Sequence, residues 1–403
     1  MLKGKNVLLA VTGGIACYKA VDLTSRLVKA GAQVKVMMTE HAAKFVQPLL
    51  FREISHNPVA LSLWNDEGEF YAEHIRLAQW ADILVVAPAT ANALAKFAQG
   101  LADDLVSTTF LAVPSDKPIM LCPAMNCDMY ANVATQANLT KLTERKNVVA
   151  VEPAEGVLAC GQVGPGRLPE PQELAEHIDA VLGRKFGDFA GKHILVTAAG
   201  TREGIDPVRF IGNRSSGKMG YAIARAAISR GAEVTLVSGP SREVPPHDVH
   251  FVQVESTEEM RQACLKAYEG VDIVIKAAAV ADYRPHKMAE NKIKKNEDSI
   301  SLDLDKNPDI LKELGSLKKH QILVGFAAET QNVEEYAKKK IREKNLDLIV
   351  ANDVTAPGAG FNVDTNIVKI IDPEGGTVEL EQMTKEQVAH EILDKVLTLK
   401  KRE

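Results

Sequence analysis

The sequence predicts an α/β protein of two Rossmann-like domains, each a mostly parallel, doubly wound sheet flanked by helices. Three observations lead there. The chain has 403 residues, too many for one hydrophobic core. Its apolar, β-branched runs are continuous rather than alternating, as in strands buried on both faces, and helical stretches separate them. The pattern is also used twice. "GKNVLLAVTGG" (4–14) is echoed by "GKHILVTAAGT" (191–201), "GAQVKVMMT" (31–39) by "GAEVTLVSG" (231–239), and "ADILVVAPATAN" (81–92) by "VDIVIKAAAVADY" (271–283). Parallel strands joined by helices put ligands at the carboxyl ends of the strands. The glycine-rich, mixed-charge stretch "GRKFGDFAGKH" (183–193) reads as a linker, which puts the domains at residues 1–188 and 189–403.

Composition narrows the function classes. Residues 1–188 carry 17 Lys+Arg against 20 Asp+Glu and residues 189–403 carry 31 against 33, so neither half is a basic body and nucleic-acid binding finds no support. An anionic ligand must then be met by local clusters of positive charge. The opening "MLKGKNVLLAVTGG" stops at a glycine pair without a small-residue cleavage site and reads as a first strand rather than a signal peptide. No apolar run approaches the roughly 18–20 residues that span a bilayer, so a cytoplasmic location without a membrane partner is expected. The five cysteines, at 17, 122, 127, 160 and 264, are odd in number and scattered. Cys122 and Cys127 have no second pair and no suitably spaced histidine to complete a zinc site. In a reducing compartment disulfides are not expected.

The first domain opens with "AVTGGIACYKA" (10–20): strand, tight glycine turn, helix. Backbone N–H groups at such a helix start suit a phosphate, although the turn is not GxGxxG and Gly13–Gly14 also reads as a turn alone. In "EHIRLAQWADILVVAPATAN" (73–92), His74 begins an amphipathic helix whose apolar partners are Ile75, Ala78 and Trp80; a histidine there is ordinarily a surface or cap residue. Thr90 and Asn92 follow a buried strand and lie at its carboxyl end. "PAMNCDMY" (123–130) also follows a strand; it reads either as a site or as packing by Met125 and Met129 with Asn126 capping a helix. "ACGQVGPGR" (159–167) sets one thiol, Cys160, in a loop of glycine and proline.

In the second domain, "TAAGTREGIDPVRFIGNRSSGKMGYAIARAA" (197–227) is long for a strand-to-helix connection, which marks a functional loop. Its "RSSGKMG" is not a P-loop, because Met219 rather than Ser or Thr follows Lys218. "AAAVADYRP" (277–285) follows a buried strand. "NKIKKN" (291–296) crowds lysines around Ile293 and by itself reads as a solvated loop, while "KNPDIL" (306–311), "VGFAAET" (324–330) and "YAKKKIREKN" (336–345) add lysines near strand ends.

In their order, TGGIAxYK, a helix-borne histidine, APATAN, PAMNxxMY and ACGxxGxGR resemble the flavin-containing cysteine decarboxylases. With the second half, the resemblance extends over residues 4–395 to the bifunctional phosphopantothenoylcysteine decarboxylases/phosphopantothenate–cysteine ligases of bacterial coenzyme A biosynthesis. It implies FMN held between subunits of a trimer, its phosphate near Gly13, Gly14 and the Thr39 region, with Thr90 and Ser107 lining the flavin. It implies that the flavin takes a hydride from the cysteinyl end of the substrate. The thioaldehyde-like product then loses carbon dioxide, and the enethiol left behind is re-reduced. Cys160 matches the family's proton donor, His74 its active-site base, and Asn126 the residue that holds the substrate carboxylate. A thiol with a reference pKa of about 8.5 is protonated at neutral pH yet able to give up its proton. Gln162 stands where the family often has Asp.

The same resemblance implies a CTP-dependent ligase. Asn213 matches the residue that forms and holds the acyl-cytidylate. Ala277, Ala278, Asp282, Lys292, Pro308, Asp309, Ile310, Leu311, Phe326, Lys340 and Lys344 match nucleotide contacts, Lys292 with a catalytic part, and Arg209 is expected to help bind the substrate phosphate. A carboxylate attacking the α-phosphate of CTP needs charge neutralisation, which Mg²⁺ and lysines supply; no metal ligand is assignable from the letters. The implied substrates are 4′-phosphopantothenate, cysteine and CTP, and the implied assembly is a dodecamer of trimeric decarboxylase and dimeric ligase domains. Two other readings fare worse. A nicotinamide-dependent oxidoreductase requires GxGxxG with an acidic residue on a following strand end, which neither half supplies. A non-catalytic flavoprotein would be favoured by loss of His74, Asn126 or Cys160, and all three are present.

Overall fold

The echoed apolar runs become the central strands of two sheets. In the computed structural model, residues 1–64, 72–159, 161–294, 301–329, 333–353, 360 and 362–400 are described. They fall into two units, Met1–Gly187 and Asp188–Glu403.

Among the described residues, the first unit builds one six-stranded sheet from β1 (Asn6–Val11), β2 (Gln33–Met38), β3 (Val59–Ala60), β4 (Ile83–Ala89), β5 (Ile119–Pro123) and β6 (Val148–Ala150). The order is β3-β2-β1-β4-β5-β6 with every pair parallel. The continuous apolar runs follow from burial on both faces. Val7, Leu9 and Val11 pack with Leu23, Leu27, Phe51 and Ile178 on one side. Leu8 and Ala10, one residue out of phase, pack with Leu77, Leu94, Phe97 and Phe110 on the other. After β6 the chain forms an antiparallel hairpin, β7 (Ala154–Val157) and β8 (Val163–Arg167). The helix Pro171–Phe186 then runs further than the sequence suggests. Residues 183–186 of the expected linker are its last turn, because Leu182 and Gly183 are buried and extend its apolar face.

The second unit starts on a buried anchor. Phe189 is fully buried beneath the Arg230 guanidinium, which also pairs with Asp188 and Asp394. Its strands are β9 (His193–Ala198), β10 (Arg202–Gly204), β11 (Phe210–Gly212), β12 (Glu233–Ser238), β13 (Val249–Gln253), β14 (Ile273–Lys276), β15 (Tyr283–Pro285), β16 (Leu304–Lys306), β17 (Ile322–Glu329), β18 (Leu348–Asp353), β19 (Thr365–Ile371) and β20 (Thr377–Thr384). The main sheet runs β13-β12-β9-β14-β17-β18-β19-β20, parallel as far as β18 and antiparallel beyond. The pairs β10–β11 and β15–β16 are separate hairpins. Leu195, Val274, Leu311, Leu314, Leu323 and Ile341 share one core. Val388, Ile392, Leu393 and Val396 bury the helix Lys385–Lys400, which packs on Lys218–Ser229.

Both sheets reverse strand order between the same kinds of strand: β1 and β4 in the first, β9 and β14 in the second. Each reversal opens a crevice at the carboxyl ends, where ligands of doubly wound sheets bind. Among the described residues, no helix is long and apolar enough to cross a membrane.

Candidate active sites

At the first reversal lies a cavity of about 900 Å³. Its floor is pinned by Thr12, just past β1 and almost fully buried. The Thr12 hydroxyl donates to the Pro88 carbonyl at 2.7 Å and accepts the Thr90 N–H at 3.1 Å. Gly13 follows. A Cβ there would stand 2.4 Å from His41 Cβ, so the turn requires glycine for its close approach to the segment after β2. No side chain caps the helix Cys17–Lys29 that the turn leads into, and the first N–H groups of an uncapped helix are suited to an anion.

Three hydroxyls of the cavity wall begin other helices. Thr39 caps Glu40–Phe45 by accepting from Ala42 N at 3.2 Å, and Thr90 caps Ala91–Gln99 by accepting from Ala93 N at 3.3 Å. Ser107 closes a capping box with Asp104: each backbone N–H is accepted by the other's side chain. Lys96 lies 2.7 Å from both Asp103 and Asp104. Burial alone would raise the Asp104 carboxyl, but Lys96 and Ser107 outweigh it and hold the group below the usual carboxylate range. Lys19, almost fully buried, bonds the Leu168 carbonyl and Glu170, both at 2.8 Å.

The far wall is Asn126 and the hairpin docked on it. Asn126 caps Cys127–Ala131, its Oδ1 accepting from Asp128 N at 2.8 Å, while its Nδ2 donates to Gln162 Oε1. Gln162 Nε2 in turn donates to Asp128 Oδ2 at 3.0 Å. Gly166 (φ +148°) sits so close that a Cβ would stand 2.2 Å from the Met125 carbonyl oxygen. The hairpin is therefore fixed at both its loop and its stem.

Of the residues the sequence singled out here, the cavity brings together Gly13, Gly14, Thr39, Thr90, Ser107 and Asn126. His74 lies on the helix Glu73–Trp80, half-buried and outside that lining. Cys160 lies outside the described residues. Two expectations are corrected. The buried face of the His74 helix is Leu77 and Ala78, and Ile75 is 41% exposed. Met129 is half exposed at the cavity rather than packed in the core. Thr12, Lys19 and Lys96 were not singled out, and Gln162 was noted only as a departure from the family's usual Asp.

At the second reversal the connection after β9 is tied to the one after β14. Asn213 Nδ2 donates to the Ala279 and Val280 carbonyls at 3.1 and 3.0 Å. Ala277 N and Ala278 N bond Thr197, on β9, at 3.2 Å each. Beneath them, almost fully buried Asn307 donates its amide to Thr257 and to the Ala281 carbonyl, and its N–H to the Asp282 carbonyl. Thr257 donates to buried Glu203 at 2.6 Å. Asp309 caps Ile310–Ser316 and pairs with Lys344 at 2.8 Å. Ile310 and Leu311 turn their side chains into the core, which leaves only their backbone to meet a ligand. Pro308 and Phe326 are half-buried, and Asp282 and Lys292 are exposed. Lys340 lies one turn before Lys344 on the helix Val333–Lys344.

Arg209 is engaged rather than open. Its Nε donates to Asp206 at 2.9 Å, and its Nη2 donates to Asp206 and to the Ile293 carbonyl. Buried Asp206 also accepts from Ile293 N at 3.1 Å, so the pair fastens the lysine-bearing segment around residue 292. The Arg209 guanidinium beside it holds the Asp206 carboxyl well below the usual range.

Two family models match the chain, one in each half. Residues 1–183 match the family model described as Flavoprotein, and residues 189–399 match the DNA/pantothenate metabolism flavoprotein C-terminal domain. The chain is 50% identical over 403 residues to the Coenzyme A biosynthesis bifunctional protein CoaBC of Bacillus subtilis (strain 168), covering 100% of this chain and 98% of that one. It is 47% identical over 377 residues to the protein of that name from Vibrio cholerae serotype O1, covering 93% of each. Among solved structures, the C-terminal domain of a Coenzyme A biosynthesis bifunctional protein CoaBC aligns at 50% identity and a TM-score of 0.46, covering 53% of this chain and 97% of that one. The chain belongs to the family of coenzyme A biosynthesis bifunctional proteins CoaBC.

Proposed function

We propose that residues 189–403 join cysteine to 4′-phosphopantothenate at the expense of CTP, and that residues 1–188 decarboxylate the product to 4′-phosphopantetheine with FMN. The observation that carries this reading is whole-length identity to bifunctional coenzyme A enzymes in a chain that has a separate switch-point site in each half.

In the ligase half, Lys292, Lys340 and Lys344 offset the triphosphate while the substrate carboxylate attacks the α-phosphate of CTP, and Mg²⁺, when bound, would supply further charge neutralisation. Pyrophosphate leaves, the amine of cysteine attacks the acyl-cytidylate, and CMP departs. Asn213, anchored on the Ala279 and Val280 carbonyls, holds the activated acyl group. Ala277, Ala278, Asp282, the segment Pro308, Asp309, Ile310, Leu311, and Phe326 surround the nucleotide. Among the described residues Arg209 Nη1 has no partner, which keeps its donors for the substrate phosphate while Nε and Nη2 fasten Asp206 and Ile293.

In the decarboxylase half, the 900 Å³ cavity suits a flavin mononucleotide. It offers an uncapped helix start and the Thr39 hydroxyl for the phosphate, and apolar walls with Thr90 and Ser107 for the ring. When bound, FMN supplies a two-electron acceptor that oxidises the cysteinyl end of the substrate and later returns the electrons. Asn126 holds the carboxylate that departs, His74 removes a proton, and Cys160 Sγ donates the last proton. The exposed side chains of Ile15 and Tyr18 at the cavity support burial against a second copy, as in a trimer. Dimeric ligase domains would complete a dodecamer, in the cytoplasm.

The two halves separate by mutation. His74→Asn should abolish carbon dioxide release while CMP still forms. Asn213→Asp should stop CMP formation while phosphopantothenoylcysteine, supplied directly, is still decarboxylated. Loss of both activities in either variant would contradict the assignment.

A further inference from the structure

Lys276 ends β14, the strand that borders the switch point of the second sheet. Its register partners are Thr197 on β9 and Gly325 on β17. Paired residues of neighbouring strands share a face. A Cβ at Gly325 would stand 2.9 Å from Leu311 and Leu346, so Lys276 belongs to the face that carries the helix Ile310–Ser316 and the turn before it. In that turn Asp309 is already paired with Lys344.

Lys276 is half-buried, and among the described residues its ammonium has no hydrogen-bond or ion-pair partner. The titratable groups around it come from four elements. Lys344 lies on the helix Val333–Lys344, Asp309 in the turn, Asp282 after β14, and Cys264 on the helix Thr257–Tyr268. Burial, and then the charge of Lys344, push the Lys276 ammonium down to about 8. A buried cation with so little counter-charge around it is costly. The missing counter-charge is what a polyphosphate brings.

We propose that Lys276 binds a phosphate of the nucleoside triphosphate, so that Lys276 and Lys344 together offset the phosphate chain in the ligase half. This rests on the nucleotide reading of the second site. Of the two carboxylates near Lys276, Asp309 is engaged by Lys344 and Asp282 is exposed to solvent; the triphosphate supplies counter-charge for both lysines. Its arrival raises the affinity of Lys276 for its proton, so binding takes up protons from solution near the ammonium's free value.

The test is calorimetry of CTP with Mg²⁺, without the acyl substrate, on the full chain, in two buffers of different ionisation enthalpy. Near pH 8, where Lys276 is half-charged, wild-type protein should take up about half a proton per CTP bound. Its affinity should fall as pH rises past that value. Lys276→Met should bind on the order of tenfold more weakly at neutral pH, by loss of a charge-assisted contact, with no uptake. Lys276→Arg, charged throughout, should bind CTP without uptake and with a flat pH response, which separates the role from a folding defect. Equal affinity and equal uptake in wild type and Lys276→Met would overturn this inference alone. Failure of the wild-type chain to bind CTP would overturn the nucleotide reading, and the inference with it.

Discussion

The hydroxyls of Thr12 and Thr90 lie 3.2 Å apart, joining the ends of two strands that are 78 residues apart in sequence. They meet at the reversal of strand order, so the wall of the first cavity depends on this contact. Thr12→Val keeps the shape and removes the hydroxyl, leaving the Thr90 N–H and the Pro88 carbonyl without it. The expected loss is about 1–3 kcal/mol of stability in the first unit, with weaker retention of flavin. Denaturant titration followed by flavin release measures both; unchanged stability would show that the hydroxyl is dispensable.

Gly166 lies where a Cβ would meet the Met125 carbonyl oxygen at 2.2 Å. Gly166→Ala must push the hairpin off the Asn126 segment or strain it, at a cost of about 1–3 kcal/mol. Decarboxylation should fall sharply while CMP formation is unaffected, as a paired assay of the two products would report. Full decarboxylation would mean that the hairpin docks differently.

Gln162 bridges Asn126 and Asp128. Gln162→Glu keeps an acceptor for Asn126 but sets a second carboxylate against Asp128. Decarboxylation should slow severalfold, and the added change Asp128→Asn should restore most of it by removing the repulsion. A double variant no better than the single one would contradict this account.

Asp206 is held ionised by Arg209, so its folded pKa lies below the unfolded value of about 3.9. A depressed carboxylate contributes stability that is complete above the unfolded pKa and is lost as pH falls toward the folded one. Asp206→Asn should therefore destabilise the second unit at neutral pH, and the difference from wild type should shrink below about pH 4. Thermal unfolding across that range decides it. A constant difference would mean that the carboxylate's charge is not what fastens the segment around Ile293.

Much of the fold was legible because burial on both faces leaves a signal in the sequence. The three echoed runs are β1 and β9, β2 and β12, β4 and β14, in the same spatial order. The turns and caps were legible in part: Gly13 by its place after a strand, and Asn126 by the residue type that caps helices. What escaped lies in contacts between distant segments. Thr12 looks like any strand-end threonine until Pro88 and Thr90 stand beside it. Arg209 reads as an open cation, since nothing in "DPVRF" shows that Asp206 turns back onto it. Lys276 closes an apolar run, where a lysine ordinarily reaches solvent. On the His74 helix Ala78 and Trp80 do pack on the core, and Ile75 was misplaced because eight residues, Glu73–Trp80, fix the phase of a helical stripe poorly.

The central claim is that one chain performs both reactions in sequence. Mass spectrometry of the purified protein incubated with 4′-phosphopantothenate, cysteine, CTP and Mg²⁺ tests it most directly. The account predicts CMP and 4′-phosphopantetheine together, with phosphopantothenoylcysteine as a transient. Absence of CMP would contradict the ligase assignment, and accumulation of phosphopantothenoylcysteine by flavin-loaded protein would contradict the decarboxylase assignment.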